Sequence, residues 1–129
     1  MSTVRLEAGA TRITGRAPGG WIIGNRLYVP ALFVGATIAG SLPGLTLDSL
    51  AALDAPDGAD LIEAVGLPAL PDVELLLLGT GARQHRPPPA FTAAARTRGW
   101  RVEAMDSACA ARTFNVLIAE ERQVAALLF

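Results

Sequence analysis

Between Thr11 and Val34, apolar runs alternate with polar breaks made of glycine and asparagine. The stretches "TRITGR", "GGWIIG" and "NRLYVPALFV" are rich in Val, Ile, Trp, Tyr and Phe, the residues that suit a pleated surface. Gly19-Gly20 and Gly24-Asn25 tolerate positive φ and so supply the turns between them. The pattern predicts an antiparallel β meander over residues 11–45, which "ATIAGSLPG" can extend. Pro30 has no N–H to donate and should mark an edge, a bulge or a strand end.

The period then lengthens. "TLDSLAAL" and "ADLIEAVG" each predict a short helix, with Thr46 and Asp60 as N-caps and Gly66 as a stop. From residue 73 the texture changes again. "VELLLLG" is a continuous apolar run of strand length, the pattern of a strand buried on both faces. "PPPAFTAAARTRGW" puts prolines at a helix start and Gly99 beyond its end. "RVEAMD" predicts the next strand, Ser107 can cap a helix through "ACAARTFNVLIAEE", and "QVAALLF" closes as a strand. Residues 73–129 therefore read β-α-β-α-β, and residues 1–129 as one α/β layered domain with an added meander. The first crossover is long enough for a parallel pair with a right-handed connection. The short "EERQ" link leaves the direction of the last strand open.

Composition narrows the functional classes. Half the residues are hydrophobic (51%), enough for a core in a chain of 129 residues and too many for a disordered one. Charged residues make up 18%, with twelve acidic against eleven basic and a net charge of −1. No basic cluster rises above these scattered arginines, which argues against a nucleic-acid partner. Every basic residue is arginine, so a Schiff-base or phosphate-loop lysine is excluded. Cys109 is the single cysteine; it can form no intrachain disulfide and fits a reducing, cytoplasmic setting. No apolar stretch has the length to cross a bilayer, and "MSTVRLEAGATR" lacks the apolar core of a signal peptide, so the expectation is not an integral membrane protein.

"LLLLGTGARQHRPPP" invites comparison with a phosphate cradle. A dinucleotide fingerprint requires a third glycine where Gln84 stands, the phosphate-loop continuation is missing, and the prolines remove N–H donors. A tight structural turn at the sheet edge explains the glycines as well as a ligand does. His85 is the only histidine, so no zinc site or other metal centre is expected. Cys109 falls in the first turn of its helix, where the helix dipole can activate a thiol, and pairing with His85 would make it a nucleophile. A packed, inert cysteine is the alternative. Ser107 with His85 and Asp106 is better read as a strand end and cap, so no catalytic residue is assigned. On the same helix Arg112 and Asn115 share a face at i, i+3, with Thr113 between them. If the flanking strands are parallel neighbours, Gly79, Thr80 and Gly81 lie beside this helix, at the edge where α/β sheets bind ligands. Gly79, Thr80, Gly81, Arg112, Thr113 and Asn115 thus form a candidate site for an anion or small ligand, with Cys109 as a possible reactive thiol. Hydrogen bonds from Arg112 and Asn115 to the loop's own carbonyls are the structural alternative.

These residues also carry a family resemblance. Residues 73–129 resemble domain-of-unknown-function family 498, which includes a mitochondrial respiratory complex I assembly factor and an adipogenesis-associated Mth-domain protein. The shared features are the Gly79-Thr80-Gly81 turn, the prolines, Met105-Asp106, Ala111-Arg112-Thr113, Asn115, Glu120 and Val124-Ala125-Ala126. The upstream "WIIGNRLYVPALFV" is similar to the family's hairpin. Pro30-Ala31 stands where the family usually has Gly-Ser, and Phe114 where it has Tyr, so no tyrosine hydroxyl is available there. Gly40-Ser41-Leu42 replaces a tryptophan common after the hairpin. The resemblance implies a three-layer fold with a central mixed sheet, no established enzymatic activity, no cofactor, and a role through protein contacts. A protein-interaction module assisting assembly of a membrane or respiratory complex is the leading expectation, with a homodimer left open.

Overall fold

The computed structural model describes residues 2–7, 10–42, 45–52, 66–68, 70 and 72–129. The helix expected from "ADLIEAVG" lies largely outside these residues. A six-stranded sheet forms the middle of the molecule. Its strands are β1 (Ser2–Arg5), β5 (Leu32–Val34), β6 (Ile38–Ser41), β7 (Leu75–Gly79), β8 (Arg101–Met105) and β9 (Val124–Leu128), in spatial order β1-β6-β5-β9-β7-β8. β7 runs parallel to both β8 and β9, and every other pair is antiparallel. The direction of the last strand, open from the sequence, is thereby settled. β9 joins the parallel half of the sheet to the antiparallel half.

The stretch expected as one meander is divided between two sheets. β2 (Gly15–Ala17), β3 (Gly20–Ile23) and β4 (Arg26–Tyr28) form a separate three-stranded sheet, whereas β5 and β6 enter the central one. The division falls at Pro30, between β4 and β5, where a strand loses a ladder donor. β1 was not expected; it pairs with β6 from Ser2↔Ser41 to Arg5↔Ile38.

Among the described residues there are three helices: α1 (Leu47–Ala52), α2 (Pro89–Thr97) and α3 (Ser107–Ala119). Thr46 caps α1 as expected: its hydroxyl accepts the Ser49 N–H at 3.0 Å, and Ser49 Oγ accepts the Thr46 N–H at 2.8 Å. The prolines open α2, and Gly99 follows its end.

Alternation in the strands sorts side chains into two cores. On one face Phe33, Leu76, Leu78 and Leu127 pack against Leu50 of α1, Phe91 and Ala95 of α2, and Trp100. On the other, Leu32, Val34, Leu77, Ala126 and Leu128 meet Ala110 and Phe114 of α3 together with Trp21, Ile23 and Tyr28 of the small sheet. The "LLLL" run is explained by this arrangement: successive leucines face opposite layers, and each fully buried one contributes about 1.5–3 kcal/mol. The result is a three-layer α/β fold with a central mixed sheet. Among the described residues no helix is long and apolar enough to cross a membrane.

Candidate functional site

The carboxyl ends of β7, β8 and β9 converge on the start of α3, and two hydroxyls knit them together. Ser107 is fully buried. Its Oγ accepts the Gly81 N–H at 2.7 Å and donates to the Phe129 carbonyl at 2.8 Å, while its own N–H donates to the Gly81 carbonyl at 2.8 Å. The Phe129 N–H in turn donates to the Gly79 carbonyl at 3.1 Å. Thr80 is the second joint. Its N–H donates to the Met105 carbonyl at 2.9 Å, its Oγ1 donates to the Arg83 carbonyl at 2.6 Å, and the same oxygen accepts the His85 N–H at 3.0 Å.

The two glycines serve different needs. A Cβ on Gly79 would stand 2.7 Å from Leu128 Cδ2 and 3.0 Å from Ser107 Cα, so glycine is what lets α3 start against the strand. Gly81 has φ +92, a left-handed conformation that other residues adopt at a cost. Thr80 and Gly81, whose N–H groups a ligand would need, spend those donors on Met105 and Ser107.

Asp106, not Ser107, caps α3. Its carboxylate accepts the Cys109 N–H at 2.8 Å, and Ser107, the first helical residue, is free to bond the turn instead. That backbone hydrogen bond holds the Asp106 carboxyl below its usual range. The Cys109 side chain acts in the same direction; desolvation opposes both, and the positive charge of Arg112 adds a lesser lowering effect. Arg112 is exposed and donates from Nη2 to Cys109 Sγ at 3.2 Å. Asp106, Cys109 and Arg112 therefore form one polar cluster on the first turns of α3, next to the Gly79–Gly81 joint.

Asn115 is used elsewhere. Its Oδ1 accepts the Ile13 N–H at 2.8 Å and its Nδ2 donates to the Ile13 carbonyl at 2.9 Å, clasping the segment that leads into β2. The i, i+3 spacing with Arg112 is real, but the amide reads a peptide group 102 residues away in the chain. Thr113 is half-buried. The structure thus brings Gly79, Thr80 and Gly81 to Ser107, brings Cys109 to Arg112, and commits Asn115 to the small sheet. The Ser107 bridge and the Asn115 clasp were missed from sequence. Ser107 looked like an ordinary cap, and nothing near Asn115 in the chain announces a partner as distant as Ile13. Among the described residues no group of three or more His, Cys, Asp or Glu could hold a metal ion.

Fold and site together define an α/β protein of three layers whose most prominent polar edge is bonded largely to itself. The chain belongs to the family described as "Protein of unknown function (DUF498/DUF598)", whose model matches residues 13–129. It is 35% identical over 121 residues to an uncharacterized protein of Rhodobacter capsulatus, covering 94% of this chain and 86% of that one. It is 33% identical over 134 residues to NADH dehydrogenase [ubiquinone] 1 alpha subcomplex assembly factor 3 of Danio rerio, covering 99% of this chain and 70% of the relative. The solution structure of a Bordetella pertussis protein described as an Mth938-like domain superposes with a TM-score of 0.64 at 28% identity, covering 100% of this chain and 92% of that one.

Proposed function

We propose that this chain is a single-domain, non-enzymatic interaction module that assists assembly of a membrane or respiratory complex. One observation carries the reading: the similarity to the Danio rerio assembly factor runs through 99% of this chain, not a fragment of it. A second supports it. The side chains that suggested chemistry are engaged with one another or with the backbone, as Ser107, Thr80 and Asn115 show. The module acts in the cytoplasm in this reading, where its lone cysteine stays reduced. The test is affinity purification from native extract, identification of reproducible partners, and reconstitution of binding with the purified partner. Migration as free protein in extract, with no partner that rebinds when purified, would overturn the reading.

The alternative, an anion site at Gly79–Gly81 with Arg112 and Asn115, has lost most of its donors to internal bonds. Arg112 remains exposed, so the alternative is tested by thermal-shift titration with inorganic phosphate and nucleotides. A rise in melting temperature that Arg112→Ala abolishes would favour it over the assembly reading.

A further inference from the structure

Among the described residues β8 is an edge strand, with no strand paired to one side of its backbone. The Arg101 N–H donates to the Glu74 carbonyl and the Met105 carbonyl accepts from Thr80, so Arg101, Glu103 and Met105 turn their peptide groups toward β7. Val102 and Ala104 therefore turn theirs outward, as does the Trp100 carbonyl. Two outward groups are already occupied: Gln84 Nε2 donates to the Ala104 carbonyl at 3.3 Å, and the Trp100 N–H donates to the Ala95 carbonyl at 2.9 Å. Among the described residues nothing bonds the Val102 N–H, the Val102 carbonyl, the Ala104 N–H or the Trp100 carbonyl.

That set of groups is self-complementary. In an antiparallel ladder with a two-fold axis at Val102, the two copies of Val102 exchange both hydrogen bonds. Each Ala104 N–H meets the Trp100 carbonyl of the other copy. The same register sets each Trp100 N–H opposite the Ala104 carbonyl of the other copy, and these two groups, already bonded to the Ala95 carbonyl and to Gln84, take no part across the axis. Side chains match as well. Arg101 and Glu103 lie on one face, 3.4 Å apart as an ion pair and with side chains 74% and 49% exposed. The same axis sets each Arg101 opposite the Glu103 of the other copy, at non-hydrogen-bonded positions where side chains are closest. A register shifted by one pair breaks both matches. An open groove of about 260 Å³ between α2 and this edge, lined by Thr92, Arg96, Trp100 and Val102, leaves the strand accessible.

We propose that the β8 edge binds a second copy of this chain, continuing the central sheet across a two-fold axis at Val102. The proposal is independent of the assembly reading, since no other protein takes part. Pairing along one short strand makes a small interface, so the dimer is weak and reversible. Sedimentation equilibrium from about 10 µM to 1 mM, association free energies of roughly −7 to −4 kcal/mol, reads it directly. Arg101→Glu and Glu103→Arg each place like charges opposite one another twice per dimer and raise the dissociation constant about tenfold. The double variant R101E/E103R restores wild-type association, which no effect of either charge alone would produce. Hydrogen exchange on the unmutated protein gives a second reading: the Val102 and Ala104 amides slow with concentration, while the Glu103 amide, bonded toward β7, does not. A protein that stays monomeric to 1 mM overturns the proposal. So does a dimer indifferent to the single reversals, or one that leaves the Val102 and Ala104 amides unprotected.

Discussion

Replacing Ser107 with alanine removes a single oxygen, yet it should cost more than any exposed substitution. The hydroxyl is fully buried and sits in a chain of bonds from Gly81 through Oγ to Phe129. Each bond is worth about 1 kcal/mol net, and a stranded buried donor or acceptor costs about 1–3 kcal/mol. Gly81 and Phe129 are each only half-buried, so water reaches part of what Ser107→Ala exposes, and the lower end of that range applies. The expected loss is about 2–3 kcal/mol, a sizeable part of the roughly 5–15 kcal/mol that holds a domain folded. Urea denaturation should show a lower midpoint with an unchanged slope, and the melting temperature should fall by about 6–12 °C. Hydrogen exchange adds a local signature: the Gly81 amide should lose protection beyond the global decrease. A loss below about 0.5 kcal/mol, with Gly81 still protected, would mean that Ser107 is not the joint described above.

Three further outcomes are expected. Asn115→Ala should destabilise the fold by about 1–3 kcal/mol and loosen the small sheet; Asn115→Asp keeps the acceptor but loses the donor to Ile13, and should also destabilise in the absence of any ligand. Equal stability of Asn115→Asp and wild type in urea would contradict the clasp. Glu121 adopts φ 58 just after α3, so Glu121→Gly should stabilise by about 0.5–1 kcal/mol, and a fall in melting temperature would refute this. Asp106 is held below its usual pKa in the folded state, so its contribution is fully present above the unfolded value near ~4 and is lost as pH falls through the folded one. The stability difference between wild type and Asp106→Asn should therefore be flat above about pH 5 and shift against the wild type in acid; a difference independent of pH down to 2 would count against the cap.

The elements that were legible in the sequence are those whose signals are local. The apolar run of β7, the prolines opening α2 and the Thr46 cap each carry their cause within a few residues. What escaped was set by distance. Pro30 marks a break within "WIIGNRLYVPALFV" but does not tell that β4 and β5 belong to different sheets, because that choice depends on β9 offering β5 a partner. β1 is too short to announce itself and exists because β6 has an open edge. The site shows the same division. Crowding around Gly79-Thr80-Gly81 was readable as a turn packed beside a helix. The identity of its fastener was not, since Asp106 and Ser107 are both good caps and only the approach of Phe129 decides which of the two side chains is diverted.

The position of β9 has a consequence for how the molecule is made. Residues 124–128 leave the ribosome after the other strands of the central sheet, and they fill the slot between β5 and β7. Until they arrive, β5 and β7 expose facing edges, and the apolar side chains of both cores lack the layer that Ala125, Ala126, Leu127 and Leu128 complete. The nascent chain is therefore held open along its middle until β9 emerges, a window in which exposed strand edges are open to wrong pairing. Folding of the sheet is sealed from the inside by β9, and a chain stopped at residue 123 would be left as two half-sheets with no seam to join them.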